Sequence, residues 1–129
     1  MILDTSALAA IFFGEPEAAR FARLIYDADR CLISAANFVE LSMVIEGQIG
    51  PDASRQCDTF FRRAGILIEP VTAEHAHLAR QAFLDFGKGR HPASLNFGDC
   101  FAYALAKTTG EPLLFKGNDF TRTDLQSAT

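Results

Sequence analysis

The chain has 129 residues, 49% of them hydrophobic, with 12 Phe and no Trp. That length and composition predict one domain, residues 1–129, with ample material for a core. A net charge of −4 excludes a broadly basic nucleic-acid-binding surface and leaves room only for a local basic rim.

In chain order, Met1-Ile2-Leu3-Asp4 reads as a short buried strand. Thr5 or Ser6 is placed to cap a helix through Phe13, which Gly14 stops. Pro16 suits the first turn of a second helix through Asp27. Cys31-Leu32-Ile33 is a second strand. Ser34 caps a helix to Ile49, ended by Gly50-Pro51, and a further helix covers Asp52 to Ala64. Ile66-Leu67-Ile68 is a third strand, closed by Pro70, and Thr72 opens a helix through Phe86. Residues 87–96 form a loop carrying Lys88, Arg90 and His91. Asn96 caps a helix to Thr109, Gly110 ends it, and Pro112 to Phe115 is the fourth strand. Short apolar strands alternating with helices predict an α/β fold with a parallel sheet. Ligands of such sheets bind beyond the carboxyl ends of the strands.

Asp4, Glu40, Asp99 and Asp119 stand where a core-building sequence would not spend a carboxylate. Asp4 ends the first strand. Its plain reading is a helix cap, a role Thr5 and Ser6 already offer. Glu40 lies mid-helix on the side of Ala36, Met43, Val44 and Gly47; the alternative is an exposed helix edge. Asp99 follows Asn96 by three, where it also suits the helix dipole, in a helix apolar on every side. Asp119 sits in Gly117-Asn118-Asp119, which is also an ordinary polar turn. Gathered at one pole of a sheet, four such acids need a cation. Oxygen ligands without His or Cys select Mg²⁺ or Mn²⁺. His75 and His77 lack metalloprotease spacing and read as surface or partly buried helix residues.

Cys31, Cys57 and Cys100 are odd in number, widely spaced and without a CxxC pair, so buried thiols in a reducing cytoplasm are expected. No signal-peptide pattern opens the chain and its apolar runs are too short to span a bilayer, so no membrane is expected.

The opening Met1-Ile2-Leu3-Asp4-Thr5-Ser6-Ala7-Leu8 resembles PIN-domain ribonucleases, specifically the VapC toxins of bacterial toxin–antitoxin pairs. Ser34-Ala35-Ala36-Asn37-Phe38-Val39-Glu40 is similar to their second motif, a helix that brings a glutamate to the metal. Asn96-Phe97-Gly98-Asp99-Cys100 is similar to the third, and Leu113 to Phe120 to the last strand and its active-site loop. The likeness covers essentially the whole chain. It departs at Gly117, where many members carry an acid; Asp119 substitutes for it, or Asn118 holds a metal-bound water. The resemblance implies a PIN-like three-layer sandwich, a short central parallel sheet flanked by helices. It also implies Mg²⁺- or Mn²⁺-dependent endonucleolytic cleavage of RNA, often structured RNA such as tRNA. A VapB-type antitoxin that occludes the acidic pocket and a homodimer are its expected partners.

On that reading a metal held by Asp4 and Asp99 lowers the pKa of bound water and neutralises charge on phosphorus. Glu40 ligates through water or orients the nucleophile. Ser6 hydrogen-bonds a carboxylate or the scissile phosphate, or serves only as a cap. Lys88, Arg90, His91 and Lys116 form a phosphate-facing rim, or a solvated loop. Two rivals are set beside it. An aspartyl phosphotransferase also starts with a strand-end Asp, and a phospho-receiver adds a late lysine, which Lys116 mimics. A non-catalytic RNA-binding PIN-like module is the other. Ile11, Phe12, Phe13, Phe21 and Leu24, beside Glu15 and Glu17, offer a surface for an antitoxin or a second copy, or simply pack in the core.

Overall fold

The computed structural model describes residues 1–129 as an α/β fold. Its elements are β1 (Ile2–Leu3), α1 (Thr5–Phe12), α2 (Ala18–Asp27), β2 (Cys31–Ser34), α3 (Ala35–Ile49), α4 (Ala53–Ala64), β3 (Ile66–Glu69), α5 (Ala73–Phe86), α6 (Phe97–Thr109) and β4 (Leu113–Leu114), then a 3-10 turn, Asp119–Arg122. The four strands form one sheet in the order β3-β2-β1-β4, every pair parallel. Ile2 stands opposite Leu32 and Leu113, and Leu3 opposite Leu114.

Strand periodicity divides the core in two. Ile2, Leu32 and Leu113 point into the layer of α5 and α6. Leu3, Cys31, Ile33 and Leu114 point into the layer of α1 to α4. β1 and β4 have two residues each, too few for a ladder to hold them. Their four side chains are fully buried, each worth about 1.5–3 kcal/mol. Burial on both faces therefore fixes the strands that carry the site. α6 is buried along most of its length, as its all-round apolar sequence demands.

Ser34, Thr72 and Asn96 cap α3, α5 and α6, accepting from Ala36, His75 and Asp99 N–H at 3.3, 3.1 and 2.9 Å. Elsewhere the structure corrects the expectation. Asp4, not Thr5 or Ser6, caps α1. α2 starts at Ala18, because Pro16 and Glu17 complete a turn closed by Ala18 N–H on Glu15 carbonyl. Phe21 belongs to the core, and His75 is buried rather than superficial. Ile11 and Phe12 do face a cavity of about 480 Å³, with Tyr26, Arg55, Phe60 and Arg63. The side of α3 shared by Glu40, Met43 and Val44 is not core either; α3 buries Asn37, Leu41 and Ile45 instead. No helix is long and apolar enough to cross a membrane. All three cysteines are buried and unpaired, and burial pushes Cys57 and Cys100 up to about 11.

Candidate active site

The chain delivers its acids at the carboxyl edge of the sheet by making them helix caps. Asp4 leaves β1 in extended conformation and starts α1 in the next residue. Its Oδ2 accepts from Ser6 N–H at 3.0 Å and from Ser6 Oγ at 2.5 Å. Ser6 Oγ in turn accepts from Lys116 N–H at 3.0 Å, which ties the loop after β4 to the same carboxylate. Of the roles open to Ser6, it takes the carboxylate.

Asp99 repeats the device at α6. Its Oδ2 accepts from Asn96 N–H at 3.0 Å, completing a capping box. Capping and catalysis looked like competing explanations of Asp4 and Asp99, but each carboxylate has two oxygens. One is spent on the helix. Asp4 Oδ1 is buried with no hydrogen-bond partner.

Glu40 reaches the same place from α3. Its Oε1 accepts from Thr5 Oγ1 and from Asn37 Nδ2, the latter at 3.3 Å. Asn37 is fully buried and donates also to the Gly98 carbonyl at 2.9 Å. The Glu40 carboxylate lies directly against Gly98, where any Cβ would collide with it. A cavity of about 340 Å³, lined by Val39, Met43, Phe97 and Gly98 among others, ends on Glu40. Thr5, Asn37 and Gly98 are site residues that sequence reading passed over. The available signal was Asn37 itself, a polar residue three before Glu40 on the buried helix face.

Electrostatics join the four acids. Burial raises Asp4 to about 6 against the pull of its Ser6 bonds, with Glu40 adding repulsion. Burial likewise raises Asp99 to about 7, opposed by the Asn96 bond and reinforced by the charges of Asp4, Asp119 and Glu40. Asp119 is exposed at the rim of the group. None of the four forms an ion pair with Lys, Arg or His.

An orphaned buried carboxylate oxygen and an unneutralised all-oxygen donor set fit a hard divalent cation. As they lie, no three acidic, His or Cys side chains are spaced to grip an ion.

Two expected features fall differently. The Lys116 ammonium turns away from the acids and pairs with Glu15 and Glu17. It is therefore no free member of a phosphate rim, and Asp4 lacks the lysine a phospho-receiver uses. Gly117 has φ +98°, a conformation L residues rarely adopt. The loop shape itself disfavours an acid at that position. Lys88 and Arg90 remain exposed without acidic partners, and His91 packs on Phe86.

Residues 1–125 match the model of the PIN domain family. The chain is 47% identical over 126 residues to ribonuclease VapC30 of Mycobacterium tuberculosis, covering 97% of this chain and 95% of that one. It is 49% identical over 129 residues to ribonuclease VapC28 of the same organism, covering 99% and 97%. In three dimensions it is similar to Mycobacterium tuberculosis VapC20, a toxin that cleaves the sarcin–ricin loop. The TM-score is 0.77 at 20% identity, with 96% and 95% of the chains covered. VapBC2 of Rickettsia felis, solved on a promoter DNA fragment, gives TM-score 0.71 at 17% identity over 98% and 94%.

Proposed function

Because this chain belongs to the PIN-domain family, we propose that it is a metal-dependent endoribonuclease and the toxin of a toxin–antitoxin pair. One observation carries the reading. Asp4 and Asp99, both buried, each spend one carboxylate oxygen on a helix cap and keep the other free of hydrogen bonds, with no cation paired to either.

Asp4 and Asp99 would hold Mg²⁺ or Mn²⁺, with Glu40 and Asp119 as further acidic members. Such an ion supplies a bound water of lowered pKa and neutralises charge on the phosphodiester. The chain's own part is placement. Ser6 and Asn96 anchor one oxygen of each acid at the start of α1 and α6, so only the remaining oxygens have to turn toward the ion. Thr5, Asn37 and Gly98 fix Glu40, which orients the attacking water. Asp119, exposed beside Asp99, completes the negative rim.

The partners follow from the same reading: RNA as substrate, a VapB-type antitoxin, a second copy of the chain, and residence in the cytoplasm. The cavity of Ile11, Phe12, Tyr26 and Phe60 is the antitoxin surface we favour, since its apolar floor and arginine rim suit an amphipathic helix with acidic flanks. The test is to sequence the RNA ends produced when the wild-type chain or Asp99→Asn is expressed. New ends with the wild type alone are expected. Identical ends with both would sink the reading.

A further inference from the structure

A cavity of about 600 Å³ lies between α5 and α6, walled by Phe83, Phe97 and Phe101 and edged by Arg80, Lys88 and Asn96. Asn96 is also the residue that caps α6 and holds Asp99, so this cavity and the acidic cluster share a wall.

Phe97 is 80% exposed at the first position of α6. Folding does not require an aromatic ring there. The ring stands edge-on to Phe101, with centroids 4.9 Å apart, and also lines the smaller cavity that ends on Glu40. One exposed aromatic ring thus lines two hollows, one touching Glu40 and the other Asn96.

Seven of the twelve Lys and Arg residues have no acidic partner, and three of those seven stand at this mouth: Arg80, Lys88 and Arg90, whose guanidinium lies 5.3 Å from the Phe83 ring centroid. In a chain of net charge −4, three cations without acidic partners gather beside one aromatic hollow. Aromatic walls with cations at the lip are the chemistry that receives a nucleobase and its flanking phosphates.

We infer that the α5–α6 cavity seats an unpaired base of the RNA next to the scissile phosphate, stacked on Phe97, with Lys88 and Arg80 meeting the backbone. This rests on the ribonuclease reading. A base held in a duplex stack cannot enter the cavity, so the cut site lies where the strand is single.

The test uses short single-stranded RNAs carrying one 2-aminopurine at successive positions, bound to the full chain in EDTA, where cleavage plays no part. One position is expected to be quenched on binding. Phe97→Ala should weaken binding about tenfold and abolish the quench, and Phe97→Trp should restore both. In Mg²⁺, an RNA abasic at that position should raise KM for the wild type by the same factor and add nothing for Phe97→Ala. Quench-dependent binding without any cleavage would keep the cavity assignment and refute the nuclease. Cleavage indifferent to Phe97 and to the missing base would refute the assignment and keep the nuclease. A Phe97→Ala that turns two copies into one in sedimentation, with unchanged cleavage, would give the face to a second chain and overturn the proposal.

Discussion

Gly98 and Glu40 are in contact across α6 and α3: a Cβ on Gly98 would lie 2.1 Å from Glu40 Oε2. The atom in the way is the far end of a side chain, so the helix survives the collision and the glutamate moves. Gly98→Ala should leave thermal stability nearly unchanged, because alanine favours a helix over glycine by about 1 kcal/mol. RNA cleavage should nevertheless fall by about 10–100-fold, the usual effect of disturbing a group around a metal site. Equal losses in melting temperature and activity would show that the contact is only structural.

Asn37 should behave in the opposite way. It is fully buried and joins the Gly98 carbonyl to Glu40. Asn37→Ala removes its bonds to that carbonyl and to Glu40 and leaves a small void, although the carbonyl keeps its place in the α6 ladder, at about 0.5–1.5 kcal/mol per bond. Urea unfolding should show the loss, together with weaker cleavage. Asn37→Asp should be worse in both, since it turns a carboxylate toward a carbonyl and a second carboxylate.

Stability should fall as pH rises when no divalent ion is present. Asp4 and Asp99 have an ordinary value of 3.8 unfolded and about 6 and about 7 in the fold. The native chain therefore keeps protons the unfolded chain has lost, and unfolding gains on deprotonation. The benefit is fully present below about pH 4 and is lost as pH passes through about 6 and 7. In EDTA, the melting temperature should drop by several degrees between pH 5 and pH 8, on the order of a few kcal/mol. Mg²⁺ should restore it at pH 8 by binding the native state alone. Asp99→Asn should flatten both the pH slope and the Mg²⁺ response.

The remaining acid and lysine should rank low. Asp119 is exposed, so Asp119→Asn should cost about tenfold or less, against about a hundredfold or more for Asp4→Asn. Lys116→Ala breaks a half-exposed pair with Glu15 and Glu17, worth about 0–1 kcal/mol, and should leave cleavage within about twofold. A large loss on Lys116→Ala would return that ammonium to the phosphate.

Where local chemistry decides, the sequence was a good guide. Ser34, Thr72 and Asn96 cap their helices because their side chains reach the N–H groups two or three residues on. Strand positions were legible from three-residue apolar runs set between helices. Asp4 was misjudged because Thr5 and Ser6 are equally good caps by type, and only the fold shows which oxygen is used. The Glu40 side of α3 left two readings open because apolar Met43 and Val44 suit either a packed face or an exposed edge; the fold leaves them exposed. Gly98 was beyond local reading, since what defines it is contact with residues about sixty positions away. Gly117 showed its missing acid in the sequence, but its backbone conformation needed coordinates.

Asp4 caps α1 and Asp99 closes the capping box of α6, and in either place an asparagine side-chain oxygen can accept the same backbone N–H. The chain can therefore be disarmed without being unfolded. A copy carrying Asn at both positions would keep every face a partner grips while losing its charge at the centre. Such a copy, present in excess, is a decoy: it would sequester the antitoxin and release the active toxin it restrains.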